Sequence, residues 1–183
     1  MRKPKQYWRE ENNMAPIVSF VGHSNSGKTT FLIKVISELK KRGYRIGVIK
    51  HDGHDFEIDH AGTDTWQHRQ AGADVVCIAS SHKIAMVRTL VKPSTLDEII
   101  LMINDVDMIL TEGFKQDQKL QIEVNRQGVE CLGKKNNTIA LVSDKVTYDS
   151  IPHFGFEDTE KVADLLENIM TFEGDGEYGN ITG

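Results

Sequence analysis

Cysteine is scarce in this 183-residue chain: the two present, Cys77 and Cys131, share no C-x-x-C spacing. That excludes a disulfide scaffold and a cysteine-based zinc or redox motif, and leaves two reduced, structural thiols. Proline occurs at only 4 positions, too few for a polyproline or linker-rich chain. No apolar run approaches the ~20 residues that a membrane-crossing helix needs. The basic residues near the N-terminus are not followed by an apolar stretch before Asn12-Asn13, so no secretory signal is expected either, and the chain reads as cytoplasmic. A basic stripe suited to nucleic acid is missing too: the formal net charge is −5. Residues 1–10 carry +3 and residues 155–183 carry −7, so the acidity belongs mainly to the tail.

What is present is the balance of a globular α/β domain, with 39% hydrophobic and 27% charged residues. The expected organisation is an N-terminal extension over 1–14, one domain over 15–172 with a single core, and an acidic tail over 173–183. Ile17 to Val21 is β-branched and apolar and runs into Gly22, as a buried parallel strand does. Lys28 to Arg42 reads as an amphipathic helix closed by Gly43, and Arg45 to Lys50 as a second strand. This βαβ unit implies an α/β fold with a mostly parallel sheet flanked by helices, and the glycine-rich Gly22-His23-Ser24-Asn25-Ser26-Gly27-Lys28-Thr29 between its first strand and helix makes that fold P-loop NTPase-like. A polar loop from His51 to Gly62 and a short helix from Thr63 to Ala71 follow. Strands Asp74 to Ala79 and Lys83 to Leu90 make an antiparallel hairpin extension. Ser94 is the expected cap of a helix from Thr95 to Asn104. Further strands are expected at Asp107 to Thr111, Leu120 to Asn125 and Thr138 to Ser143, the last two joined by a hairpin-like connection around Gln127-Gly128. A final helix runs from Thr159 to Met170.

The decisive motif is Gly22-His23-Ser24-Asn25-Ser26-Gly27-Lys28-Thr29, a complete G-x-x-x-x-G-K-[ST] between a buried strand and an amphipathic helix. Glycines let the loop turn so that successive N–H groups face an anion, and the helix start adds its positive dipole end. Lys28 then reaches the β- and γ-phosphates, and the Thr29 hydroxyl serves as a Mg²⁺ ligand. A second carboxylate should come from a strand ending beside the loop. Glu112, at the carboxyl end of Val106 to Thr111 and followed by Gly113, fits that place. Asp107 sits at the other end of the strand, about 15 Å away at ~3.3 Å per residue, and reads as a cap or surface residue.

The loop after the second strand gathers His51, Asp52, His54, Asp55, Asp59 and His60 within ten residues. Two chemistries are open for it. In one, Asp52 or Asp59 completes the Mg²⁺ shell while the loop orders around the γ-phosphate. In the other, His51-x-x-His54 with Asp55, Asp59 or His60 binds a transition metal. A plain solvated loop is the third reading of these histidines.

The order of motifs along the chain carries a further signal. The phosphate loop is followed by Lys50-His51-Asp52-Gly53-His54-Asp55-Phe56, by Asp59-His60-Ala61-Gly62-Thr63-Asp64-Thr65-Trp66, by Gln70-Ala71-Gly72-Ala73 and by Thr111-Glu112-Gly113-Phe114-Lys115. In that order the chain, from about Ile17 to Asp144, resembles the MobB family of molybdopterin-guanine dinucleotide biosynthesis adaptors. The resemblance implies a homodimeric GTP-binding protein with weak GTPase activity. It also implies as partner the guanylyltransferase that joins GMP to molybdopterin, with molybdopterin itself a further ligand. Carried onto this chain, it puts Gly22 to Thr30 on phosphate, Asp59, Thr63 and Asp64 in the loop and helix start facing it, Glu112 near Mg²⁺ and Lys115 near the nucleotide. One departure is the segment Ala61-Gly62-Thr63-Asp64-Thr65, where family members often carry Pro-Gly-Lys-Asp-Ser. The base has no N-K-x-D motif to meet it. Asp144, in Ser143-Asp144-Lys145 at the end of an apolar strand, either pairs with guanine N1–H and N2–H₂ or caps a turn.

Two other functions compete with this one. A nickel or zinc metallochaperone GTPase would use the histidine-rich loop 51–60, although a cysteine ligand pair beside the phosphate loop is missing. A small-molecule kinase would need a lid arginine and an acceptor-side base, and neither is evident. Hydrolysis should be slow, because Gln67, Arg69 and Gln70 are the only nearby candidates for groups that accelerate it by about 10³- to 10⁵-fold.

Overall fold

The computed structural model describes residues 14–172. The tail and all but Met14 of the N-terminal extension lie outside the described residues. Twelve elements follow in chain order: β1 (Ile17–Val21), α1 (Lys28–Lys41), β2 (Ile46–Lys50), α2 (Asp64–Gln70), β3 (Val75–Ala79), β4 (Ile84–Arg88), α3 (Leu96–Ile100), β5 (Met108–Glu112), β6 (Leu120–Asn125), β7 (Thr138–Ser143), β8 (His153–Phe154) and α4 (Thr159–Phe172). The chain divides into two units, one running to His51 and resuming at Ile100, the other Asp52–Ile99.

In the first unit six strands form one sheet in the order β2-β5-β1-β6-β7-β8, and every pairing is parallel. β1 lies at its centre, between β5 and β6, which is where a phosphate loop needs flanking strand ends on both sides. Val18 and Phe20 of β1, Met108 and Leu110 of β5, Ile122 and Val124 of β6 and Ala140 and Val142 of β7 point to one face and are wholly buried. Phe31, Leu32, Val35 and Leu39 of α1 and Val162, Leu166 and Ile169 of α4 complete this core. The 3.6-residue spacing of these side chains is what makes the two helices and turns their apolar stripes to the sheet. Arg42, just past α1, ties them further: its Nη1 donates to Asp164 at 2.6 Å and to Glu167 at 3.0 Å.

The opposite face of β6 is also buried but polar. Gln121, Glu123 and Asn125 are 1–2% exposed; Gln121 Nε2 donates to the Asp117 carbonyl just before the strand at 3.0 Å, and the other two find partners in the chain that follows. Leu132 N–H donates to Glu123 Oε1 at 2.7 Å, and Tyr148 O–H donates to Glu123 Oε2 at 2.8 Å. Asn125 Nδ2 donates to the carbonyls of Val129 and Glu130, each at 3.1 Å. The bonds to Leu132, Val129 and Glu130 hold the segment between β6 and β7 without a crossover helix, and the one to Tyr148 ties down the chain that leaves β7. The hairpin-like connection expected at Gln127-Gly128 is therefore corrected: β6 and β7 run parallel, which a tight turn cannot join.

Two other expectations change. Helix α3 spans only Leu96–Ile100 rather than Thr95 to Asn104, and its cap is Thr95, not Ser94. Thr95 Oγ1 accepts from Glu98 N at 3.2 Å while Glu98 Oε2 accepts from Thr95 N at 2.9 Å, a reciprocal capping box one residue beyond the expected one. β8, two residues between Pro152 and Gly155, carries too little pattern to be read from sequence.

The second unit holds α2 and the antiparallel pair β3–β4. Thr63 caps α2, accepting from Trp66 N. In the hairpin, Cys77 pairs with Met86 and Ala79 with Ile84. Their shared face, with Val75, is exposed throughout, whereas Val76 on the other face is buried.

Candidate functional site: the phosphate loop and its flanking strand ends

β1 ends at Val21, and the loop turns immediately at Gly22, whose φ of +147° keeps it in glycine's territory. A Cβ there would stand 2.3 Å from the Val124 carbonyl oxygen of β6 and 2.8 Å from Ser26 Oγ. The loop is therefore pressed against the end of β6, and only glycine permits that approach. Gly27, at φ +90°, ends the loop as the N-cap residue of α1 and leaves the helix's first N–H groups without a side-chain cap. Those donors and the positive end of the helix face the loop's concavity, the ordinary provision for a phosphate. Asn25 takes a left-handed conformation with φ 64° and is exposed with Ser24, while Ser26 is wholly buried.

Lys28 opens α1, and its ammonium donates to the His23 carbonyl at 2.7 Å and lies 3.5 Å from Ser26 Oγ. Burial lowers its pKa; the Glu112 carboxylate works against that fall and the Lys115 ammonium adds to it. Thr29, one residue on, donates its hydroxyl proton to Glu112 Oε1 at 2.5 Å across 83 residues of sequence. The meeting follows from the sheet: Phe20 is in register with Glu112, so the carboxyl ends of β1 and β5 emerge side by side. A hydroxyl and a carboxylate oxygen so disposed form a hard-oxygen donor pair at the mouth of a phosphate loop, the type Mg²⁺ takes alongside water and phosphate. Thr30 is exposed one position further along α1. Lys115 follows the turn after β5, and its carbonyl accepts a short hydrogen bond from Lys135 Nζ.

Asp107 does what its place suggests, accepting from Arg45 N at 2.6 Å at the far end of β5. Asp144 follows β7, and its Oδ1 accepts from Gln127 N at 2.9 Å, which ties the ends of β6 and β7 together. Sequence reasoning missed two neighbours of the loop. Arg126 directly follows β6, and Phe156 follows β8. A Cβ on Gly27 would lie 3.0 Å from Phe156 Cε1 and 3.3 Å from Arg126 Nη2. The position of Arg126 at the carboxyl end of a central strand was the available signal. Phe156 offered none, because β8 was not legible.

The remaining sequence candidates lie in the second unit. Asp59, Thr63, Asp64 and Thr65 line a cavity of about 480 Å³ together with Ile58, His60 and Ile78. Asp59 Oδ1 accepts from Thr65 Oγ1 at 3.2 Å, and its buried Oδ2 has no hydrogen-bond partner. Nε and Nη2 of Arg69, one turn further along α2 from Thr65, are likewise buried without partners. The histidine-rich loop shows no convergence. The His51 ring packs on Phe114 with centroids 5.0 Å apart, and His54 N–H donates to Asp52 at 3.3 Å. Among the described residues no group of three or more His, Cys, Asp or Glu side chains is placed to hold a metal.

With that geometry in hand, the likeness to known proteins is informative. A family model described as molybdopterin guanine dinucleotide synthesis protein B, MobB, matches residues 17–144. The chain is 38% identical over 118 residues to the molybdopterin-guanine dinucleotide biosynthesis adapter protein of Haemophilus influenzae, covering 63% of this chain and 66% of that protein. It is 34% identical over 165 residues to the adapter protein of Escherichia coli, covering 86% of this chain and 94% of the relative. The chain thus spans about two thirds of the first relative and nearly all of the second. Among solved structures, Bacillus subtilis MobB superposes with a TM-score of 0.66 at 27% identity, covering 84% of this chain and 96% of the other.

Proposed function

This chain belongs to the family of molybdopterin guanine dinucleotide synthesis protein B, and from that premise we propose that it is a GTP-binding adaptor assisting the guanylyltransferase that converts molybdopterin to its guanine dinucleotide. The observation that carries the nucleotide part is the convergence of Lys28, Thr29 and Glu112 at the mouth of a phosphate loop held against β6. Backbone N–H groups of Gly22 to Thr30 and the Lys28 ammonium take the phosphates. Thr29 and Glu112 hold Mg²⁺. When bound, the cation neutralises charge on the phosphate oxygens. Asp144 takes the guanine N1–H and N2–H₂ groups, and Lys115 adds positive charge near the nucleotide.

Hydrolysis is slow and the protein acts as an accessory factor, since the site supplies phosphate binding without a second nucleotidyl-transfer constellation. The adaptor works in the cytoplasm as a homodimer, with the open apolar face of the β3–β4 hairpin as the seat of the second copy. Among the described residues no helix is long and apolar enough to cross a membrane. Nothing in the geometry of loop 51–60 favours the metallochaperone alternative.

Reconstitution tests this reading. Molybdopterin, GTP, Mg²⁺ and limiting guanylyltransferase are combined with wild-type protein or its Lys28→Ala variant, and guanine dinucleotide is quantified. The wild type should raise the yield and the variant should not; equal yields with both, or with neither, would sink the proposal.

A further inference from the structure

We propose that Arg126 is the stacking platform for the nucleobase, an inference that rests on the GTP-binding reading above. The parallel register of β1 and β6, with Val21 opposite Glu123, brings the end of β6 alongside the phosphate loop. Three residues later the Arg126 guanidinium lies over the Phe156 ring, 5.1 Å from its centroid. Phe156 meets Phe31 edge-on, with centroids 6.0 Å apart and planes at 88°. Phe31 is 1% exposed in the core beneath α1. The guanidinium thus sits over a ring that is itself packed against the interior.

Two further observations define what it serves. Among the described residues Arg126 has no side-chain hydrogen bond or ion pair, so its position is not explained by a structural salt bridge. With Phe156 against one side of the guanidinium, the other side is available to a second flat π system, and a planar guanidinium stacks well on one. The neighbouring group is Asp144, whose carboxylate accepts from Gln127 N, the next residue after Arg126. A carboxylate there repels phosphate and attracts N–H donors, whereas the phosphate end of the site is marked by Lys28, Thr29 and Glu112 on the β1–β5 side. Arg126 accordingly takes the face of the base and Asp144 its edge.

Calorimetric titration separates the parts. Wild type, Arg126→Ala and Arg126→Lys are each titrated with GTP and with inorganic tripolyphosphate in the presence of Mg²⁺. Both variants should bind GTP about tenfold more weakly, the size of one stacking contact, with tripolyphosphate affinity unchanged. Lysine fails to rescue because it restores charge without a plane. Equal losses for GTP and tripolyphosphate would make Arg126 a phosphate contact and overturn the assignment. So would wild-type GTP affinity in either variant. If the wild type binds neither ligand, the GTP reading itself falls; if it binds both and Arg126→Ala matches it, only the stacking role is lost.

Discussion

At Gly22 a side chain has nowhere to go, because the Val124 carbonyl already occupies the space and the backbone has turned to φ +147°. Gly43 makes a useful contrast: its φ is +92°, but nothing lies within 4 Å of where a Cβ would be. Gly43→Ala should cost only the left-handed strain of about 1 kcal/mol, whereas Gly22→Ala adds a collision between loop and sheet and should cost at least ~2 kcal/mol more. Urea denaturation of the two variants measures this, and equal midpoints would show that the loop can move off β6 at little cost. The glycines, Lys28, Thr29 and Glu112 were legible because a local spacing and a strand end suffice to place them. Arg126 was not, because its meaning depends on Phe156, a residue thirty positions later that reaches the loop only through a two-residue strand.

Strands and helices with a single apolar stripe were read well, β1, α1, β2 and α4 to within two residues. The segment after β6 is not legible because Glu123 and Asn125 alternate with apolar residues as an exposed edge would, yet they are buried and serve as anchors for the chain returning to β7. Sequence alternation alone cannot distinguish a solvated face from a satisfied polar one. Burial, and then the hydrogen bond to Glu123, pushes the Tyr148 phenol above its ordinary pKa, so it keeps its proton and donates a hydrogen bond to the carboxylate across the neutral range. Glu123→Ala orphans both the Leu132 N–H and the Tyr148 hydroxyl and should destabilise the protein by about 2–3 kcal/mol. Glu123→Gln keeps an acceptor for one and a hydrogen-bonding group for the other and should lose much less. Chemical denaturation of the pair decides; an alanine variant as stable as the glutamine one would mean that the crossover is held by something else.

On the scale of the whole molecule, the βαβ start announced a parallel sheet, and the hairpin extension was equally plain from its two apolar runs. What no single run revealed is that Val75, Cys77, Ala79, Ile84 and Met86 share one exposed face. Two strands alone make a marginal sheet, and an apolar face of this kind is ordinarily covered. An Ile84→Lys, Met86→Lys double variant should convert a dimeric wild type to monomer by light scattering at tens of micromolar. A monomeric wild type would contradict the homodimer.

The order of strands also dictates the order of assembly. β1 and β2 have no neighbour in the large sheet until β5 exists, since both pair with it and β1 pairs otherwise only with β6. As the chain leaves the ribosome, the phosphate-loop segment therefore waits for Met108 to Glu112 before it can be fixed in a sheet. In that interval the hairpin, whose strands are separated by only Ser80 to Lys83, already has both of its strands, and its pairing waits for no later residue. The nascent chain therefore presents the apolar residues of the hairpin before its phosphate loop is set between β5 and β6.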